Sequence, residues 1–210
     1  MLGGDAAHRG SRSGARVSEL LLRSGSWEQV TPDSAGWRYL FFGVRQGSFA
    51  SETNDVEIAL VPLGGRCSVE AEGERWELGG RDSVFDGMPW ALYLPRDTAY
   101  RVEGGAEVAI CGARCERRRE PVLVTPEDVE IEVRGAGNAT RQINHIVKPE
   151  FPAERLLVVE VFTPSGNWSS YPPHKHDEDN PPGEVVLEET YYFRTPAQAA
   201  FAVQRLYSPR

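Results

Sequence analysis

The segment YPPHKHD (171–177) contains two histidines, His174 and His176, that are separated by one residue. In an extended strand, side chains at positions i and i+2 point to the same face, so both imidazoles can be presented to one ion. A polar, turn-rich loop (177–183) leads to a second predicted strand, which carries Glu188 and Glu189. A hairpin at this loop would return one of the two carboxylates to the histidines. Two nitrogens and one oxygen suit Zn, Mn, Fe or Ni, and the sequence does not choose among these metals.

The alternative interpretation is a pair of exposed loop histidines beside an acidic loop. A His-x-His pair alone favours that alternative, whereas the order of histidine pair, loop, carboxylate and aromatic strand favours a metal site. Lys175 lies between the histidines, so its side chain is expected to face away from the ion.

Short apolar runs broken by Gly, Pro, Asn and Asp dominate the chain and predict β-strands, among them 56–61, 67–71, 91–94, 168–171 and 185–193. Residues 17–23 are expected to form a short helical or extended entry segment. Their spacing of roughly ten residues is typical of an antiparallel sandwich or barrel. A second series of such runs begins after residue 129 with no long linker. We therefore predict an all-β chain with a disordered tail at 1–15, one β domain at 16–128 and another at 129–210. Residues 196–207 fit helix by composition and strand by alternation.

Composition disfavours several classes of partner. The net charge of −8 disfavours binding to nucleic acid and to anionic lipid. No apolar stretch approaches the ~20 residues of a membrane span, and residues 1–15 lack the apolar core of a secretion signal. These features predict a soluble, cytoplasmic protein with no nucleic-acid or membrane partner. Cys67, Cys111 and Cys115 are expected to be free thiols, mostly buried.

Several separated motifs resemble the 5-deoxy-glucuronate isomerase family, double-cupin enzymes of myo-inositol catabolism. They are YPPHKHD (171–177), LEETYYF (187–193), FAVQRLY (201–207), RGAGNATRQINHIV (134–147) and SVFDGMPWALYLP (83–95). The resemblance spans roughly residues 17–207, in the order of the family. It implies two antiparallel β-barrels of the cupin type, with a divalent metal in the second.

Matched to the family motif, His174 and His176 are the first two metal ligands. The carboxylate ligand falls on Glu188, with Glu189 as the near alternative. The implied reaction moves the carbonyl of 5-deoxy-glucuronate from C1 to C2, which gives 2-deoxy-5-keto-gluconate. Such a reaction needs a Lewis acid on the oxygens and a base to move a proton between neighbouring carbons. Glu189 and Tyr191 are the candidates for proton transfer.

The implied substrate is a sugar acid, and its carboxylate suits a planar guanidinium. Arg205, flanked by Gln204 and Tyr207, is therefore the candidate substrate-binding group. The alternative for Arg205 is an ordinary surface residue. By analogy with other cupins, we also expect the chain to form a homo-oligomer.

The family's last metal ligand is a histidine well downstream of the first two. This sequence has His8, His145, His174 and His176 and none later. The resemblance therefore predicts an incomplete second barrel, weak metal binding and little activity in the 210-residue chain. Two alternatives follow: an inactive or sugar-binding cupin, and a non-haem iron oxygenase, whose facial triad uses the same ligand types.

Overall fold

Antiparallel strands make up nearly all of the regular structure. The structure is a computed structural model that describes residues 29–196 and 200–207. The four-residue helix α1 spans Pro32–Ala35, and a short 3-10 helix spans Gly137–Ala139. The strands are β1 (Gln29–Val30), β2 (Leu40–Gln46), β3 (Phe49–Glu52), β4 (Val56–Ala71), β5 (Glu74–Arg81), β6 (Ala91–Leu94), β7 (Ala99–Gly104), β8 (Glu107–Arg114), β9 (Val122–Val124), β10 (Glu130–Arg134), β11 (Arg141–Val147) and β12 (Val158–Phe162). The prediction of an all-β, antiparallel fold is confirmed.

Some predicted segments lie outside the described residues or take no regular form. The predicted tail at 1–15 and a predicted entry segment at 17–23 lie outside the described residues. Residues 200–207 are described as neither helix nor strand. Within the described ranges, no helix is long and apolar enough to cross a membrane.

Strand β4 links the two layers of the N-terminal unit, which consists of strands β1–β9. Its first half pairs with β6 and β8, and its second half pairs with β5 and β7. The ladder with β8 shifts register between Pro62 and Gly64. A Cβ on Gly64 would lie 2.6 Å from the carbonyl oxygen of Asp82, and Gly65 has a φ of +86°. The bend thus requires glycine, and the runs predicted as separate strands at 56–61 and 67–71 form one bent strand.

The interior of the N-terminal unit is a packed apolar core. Leu60 and Leu92 from one layer meet Val69 and Val102 from the other, and all four side chains are fully buried. Among the described residues, the one group of His, Cys, Asp and Glu side chains that is close enough to hold a metal lies elsewhere. The candidate metal ligands therefore lie outside this interior.

The opposite face of the β1-β2-β8-β4-β6-β9 sheet packs against the C-terminal half of the chain. Ala59 and Val61 of β4 share a core cluster with Ile146, Val147 and Leu156. A separate three-stranded sheet, β10-β11-β12, starts at residue 130. Because the core is continuous across the junction, the division into domains near residue 129 stays a prediction.

A buried ion pair ties this second sheet to the N-terminal unit. Arg81 at the end of β5 donates to both carboxylate oxygens of Glu160 in β12, with one Nη1–Oε2 distance of 3.0 Å. The same guanidinium donates to the carbonyls of Pro62 at 3.0 Å and Gly87 at 3.2 Å. A charge removed from water is stable only with such a complete set of partners. The pair therefore fixes where β12 lies.

The three cysteines are free thiols, as the sequence predicts. Cys67 and Cys115 are buried, and Cys111 is half-buried. Burial raises the pKa of Cys67 and of Cys115 to about 11, so both thiols stay protonated at neutral pH. Their role is packing within the N-terminal unit.

Candidate metal centre

A tight turn brings the two ends of the segment 174–189 together. The amide of Glu184 donates to the carbonyl of Asn180 at 3.0 Å, and the reverse bond is also 3.0 Å. Farther from the turn, the amide of Leu187 donates to the carbonyl of His176 at 3.1 Å. The hairpin predicted from the sequence is therefore present, although it is held by a few bonds rather than by a continuous ladder.

The turn places Glu189 beside both histidines. One ligand atom from each of His174, His176 and Glu189 lies within 4.8 Å of the other two. The Nε2 atom of His174 is 3.7 Å from a carboxylate oxygen of Glu189, and the imidazole centroids are 5.1 Å apart. Metal–ligand bonds of roughly 2.0–2.2 Å require ligand atoms about this close to one another. The donor set and its spacing fit a divalent transition metal.

Glu188 does not join this group, which differs from the expectation set by the family motif. Its carboxylate accepts hydrogen bonds from three successive backbone amides, those of Arg38 at 2.6 Å, Tyr39 at 2.8 Å and Leu40 at 2.9 Å. Partial burial raises its pKa, but the three amides outweigh that effect and the pKa is lowered. Glu188 is thus an ionised group directed at the N-terminal unit.

Adjacent residues between Glu188 and Arg194 point to opposite sides of an extended chain. On the side of Glu188, the Tyr192 ring packs against Phe42 with centroids 5.5 Å apart. Arg194 pairs with Glu107 of β8 at 2.5 Å on the same side. Glu189, Tyr191 and Phe193 occupy the other side, where the rings of Tyr191 and Phe193 stack with centroids 5.9 Å apart. This alternation explains why Glu189 is the carboxylate that meets the histidines.

Tyr191 contacts the candidate ligand group directly. Its hydroxyl donates to Oε1 of Glu189 at 2.7 Å. The pKa of Tyr191 is raised to about 12. The larger cause is burial of the phenol, and the smaller cause is its hydrogen bond to Glu189. The phenol therefore stays protonated at neutral pH and orients the carboxylate. Outer groups of this kind commonly fix the direction of a metal ligand.

Lys175 faces away from the imidazoles, as expected from its position between them. Its ammonium group lies 2.8 Å from Glu178, 3.4 Å from Asp177 and 3.8 Å from Glu184. These carboxylates belong to the acidic loop and its exit. These three carboxylates thus gather around Lys175, whose single positive charge offsets part of theirs.

The predicted substrate-binding residues lie on the surface of the described structure. Gln204, Arg205 and Tyr207 are exposed, and the Arg205 guanidinium lies 5.2 Å from the centroid of the Tyr207 ring. His145, the remaining histidine of the described residues, lies 3.1 Å from Glu132 on the second sheet. His145 therefore does not belong to the group formed by the candidate ligands.

Comparisons with known proteins converge on one family. The KduI/IolB family matches residues 19–210. The 5-deoxy-glucuronate isomerase of Geobacillus kaustophilus strain HTA426 is 45% identical over 206 residues, which covers 91% of this chain and 75% of that protein. The protein of the same name from Geobacillus thermodenitrificans strain NG80-2 is 44% identical over 192 residues, and the match covers 70% of that protein.

A solved structure shows the same fold. The crystal structure of an IolB-like protein from Salmonella typhimurium LT2 superposes with a TM-score of 0.72 at 34% identity. The match covers 76% of this chain and 64% of that chain. Together with the antiparallel sheets, this match shows a β fold of the cupin type, as the sequence motifs predict.

Proposed function

The chain belongs to the KduI/IolB family, and from this premise we propose that it is a metal-dependent aldose–ketose isomerase. The proposed reaction converts 5-deoxy-glucuronate to 2-deoxy-5-keto-gluconate. The observation that carries the proposal is the group of His174, His176 and Glu189, in a chain 45% identical to a protein named for this isomerisation. The proposed substrate is a small sugar acid, and the proposed location is the cytoplasm.

His174, His176 and Glu189 would hold the divalent ion, and its identity among Zn, Mn, Fe and Ni stays open. When bound, such an ion supplies a Lewis acid that polarises the carbonyl and hydroxyl oxygens at C1 and C2 of the sugar. The two imidazoles would contribute nitrogen ligands, and Glu189 would contribute an oxygen ligand with one negative charge. We therefore reassign the metal-ligand role from Glu188 to Glu189.

The isomerisation moves one proton from C2 to C1 and one from the C2 hydroxyl to the C1 oxygen. Once Glu189 is assigned to the metal, Tyr191 is the remaining proposed proton-transfer group. Its hydroxyl already acts as a donor, to Glu189 at 2.7 Å. We assign to Tyr191 the proton that moves between the two oxygens: its hydroxyl would donate to the C1 oxygen and recover a proton from the C2 hydroxyl, because a protonated phenol is a poor base for carbon. The base that carries the C2 proton to C1 stays unassigned.

The carboxylate of the proposed substrate needs a cationic partner. Arg205 remains the candidate, with Gln204 and Tyr207 beside it in the sequence. Its guanidinium is exposed, so it is available to a ligand. A planar guanidinium can donate two parallel hydrogen bonds to a carboxylate, which fixes the orientation of the sugar as well as its charge.

The direct test is turnover of 5-deoxy-glucuronate by the metal-loaded, full-length protein. We expect NMR to show 2-deoxy-5-keto-gluconate without any nucleotide cofactor. A chelator should abolish turnover, and added divalent metal should restore it. Unchanged substrate with stoichiometric metal bound would contradict the proposal. Oxygen uptake with Fe(II) under the same conditions would instead favour a non-haem iron oxygenase.

Replacing Arg205 with Lys tests the substrate carboxylate site. The substitution keeps the positive charge but loses the paired donor geometry. A charge-assisted hydrogen bond contributes about 1.5–3 kcal/mol, so we expect KM to rise by about tenfold or more with little change in kcat. The matched control is Arg75→Lys, at an exposed arginine paired with Glu70 of the N-terminal unit. An unchanged KM in Arg205→Lys would identify Arg205 as an ordinary surface residue.

A further inference from the structure

We infer that Glu188 is a positioning residue that holds the anchor segment, residues 187–194, on the N-terminal unit so that Glu189 meets the histidines. This inference rests on the proposed function of the same site. The interior of the N-terminal unit holds no group of candidate metal ligands among the described residues. The inference nevertheless assigns this unit a part in building the metal centre.

Both carboxylate oxygens of Glu188 take part in the contact with the N-terminal unit. One carboxylate oxygen of Glu188 accepts from the amide of Arg38, and the other accepts from the amides of Tyr39 and Leu40. All three distances lie between 2.6 and 2.9 Å. Hydrogen bonds to an ionised acceptor are about twice as strong as neutral ones. The three amides lie at the entry to β2, which is itself paired with β8 along seven residues.

The anchor segment depends on such side-chain contacts because it has no strand ladder. Residues 185–195 carry no strand assignment in the structure, although the sequence predicts a strand at 185–193. Within the described residues, the segment meets the N-terminal unit through Glu188, Tyr192 and Arg194. Of these three residues, Glu188 is the one next to Glu189 in the sequence. With its side chain fixed inward, the next side chain along an extended chain must point outward.

Glu154 also accepts hydrogen bonds from successive backbone amides, which supplies a matched control. The carboxylate of Glu154 accepts from the amide of Arg117 at 2.6 Å and from that of Glu116 at 3.2 Å. Glu154 is also mostly buried, and it is not part of the candidate metal centre. Replacement of either glutamate by Gln keeps the side-chain shape but sets an amide N–H₂ against a backbone N–H.

The test compares Glu188→Gln with Glu154→Gln in the full-length protein, using Ni²⁺ alone as the probe. For Glu188→Gln, we expect Ni²⁺ affinity to fall by about 10–100-fold, the usual effect of losing an outer support of a metal ligand. Hydrogen–deuterium exchange should become faster at the amides of Tyr39 and Leu40 and within the anchor segment. For Glu154→Gln, faster exchange should be confined to residues 116–117, with unchanged Ni²⁺ affinity.

Three results would overturn the inference. They are an unchanged Ni²⁺ affinity in Glu188→Gln, an equal loss of affinity in Glu154→Gln, and no Ni²⁺ binding by the unmodified protein. Glu188→Asp keeps the charge and should recover part of the affinity, which separates positioning from a failure to fold. Because these readouts involve no turnover, a protein that binds Ni²⁺ as expected but leaves 5-deoxy-glucuronate unchanged would refute the proposed function and leave the role of Glu188 intact.

Discussion

Replacement of both His174 and His176 by Gln is expected to abolish metal binding and, with it, isomerisation. Glu189 would be the one member of the group left, and a single carboxylate does not hold a transition metal in water. Changes outside the ligand set already cost 10–100-fold in affinity, so loss of two ligands should cost more than about 100-fold. Without the metal, the transition state loses several kcal/mol of Lewis-acid stabilisation. We therefore expect kcat/KM to fall by roughly a thousandfold. Metal content by mass spectrometry and turnover by NMR measure the two effects.

Lys175→Gln is the matched control for the histidine variant. It changes a residue between the two histidines, but its ammonium group faces the acidic loop. We expect metal content and turnover to be retained. The two imidazoles are exposed or half-buried. The free energy of unfolding of the double variant should therefore stay within about 0.5 kcal/mol of that of the unmodified protein. A double variant that keeps stoichiometric metal would show that the centre lies elsewhere.

The histidine pair could be placed from sequence because its geometry is local. Residues two apart share a face in any extended segment, whatever packs against it. The choice between Glu188 and Glu189 is not local, since the two differ only in which side of the chain they occupy. In the structure, Glu188 accepts hydrogen bonds from the amides of residues 38–40, about 150 positions away in the chain. The alternation of Glu188, Tyr192 and Arg194 was the available signal, but it becomes informative only once their partners are known.

Strand prediction succeeded where apolar runs coincide with ladders and failed where the chain bends or lacks a partner. The β6 run at 91–94 was placed correctly, and its four residues are buried. Pro62 and Gly64 indicated the end of a strand, yet β4 continues through them by means of a register shift. The predicted strand at 168–171 has no assigned pairing, although the amide of Trp168 donates to Asn138 at 2.7 Å. A ladder depends on a second segment, which a single run of residues does not reveal.

Glu57 illustrates the same limit for burial. It lies within the apolar run VEIALV (56–61), where a carboxylate is expected to face solvent. The structure instead buries it completely. Its carboxylate accepts from the amides of residues 154–156 at 2.6–2.8 Å and from the Tyr93 hydroxyl at 2.8 Å. The partners that allow this burial follow about a hundred positions later, so the run itself could not indicate them.

Glu57→Ala is therefore expected to be the most destabilising of the substitutions considered. It would leave three buried or half-buried amides and the Tyr93 hydroxyl without an acceptor. Each orphaned donor costs about 1–3 kcal/mol before relaxation, so we expect the free energy of unfolding to fall by about 4 kcal/mol. Tyr93→Phe removes one donor and leaves the amides satisfied, so it should cost about 1 kcal/mol. Urea denaturation gives both values.

Comparison of Glu57→Ala with Tyr93→Phe separates the anchoring of residues 154–156 from general packing. Glu77→Ala is the control, because that side chain is 77% exposed and its loss should stay within about 0.5 kcal/mol. If Glu57→Ala cost no more than Tyr93→Phe, the amides of residues 154–156 would have to find other acceptors, and Glu57 would not be what holds them. A large cost from Glu57→Ala alone would instead mean that a buried carboxylate of the N-terminal unit fixes the chain that leads into β12, as Glu188 is inferred to fix the anchor segment.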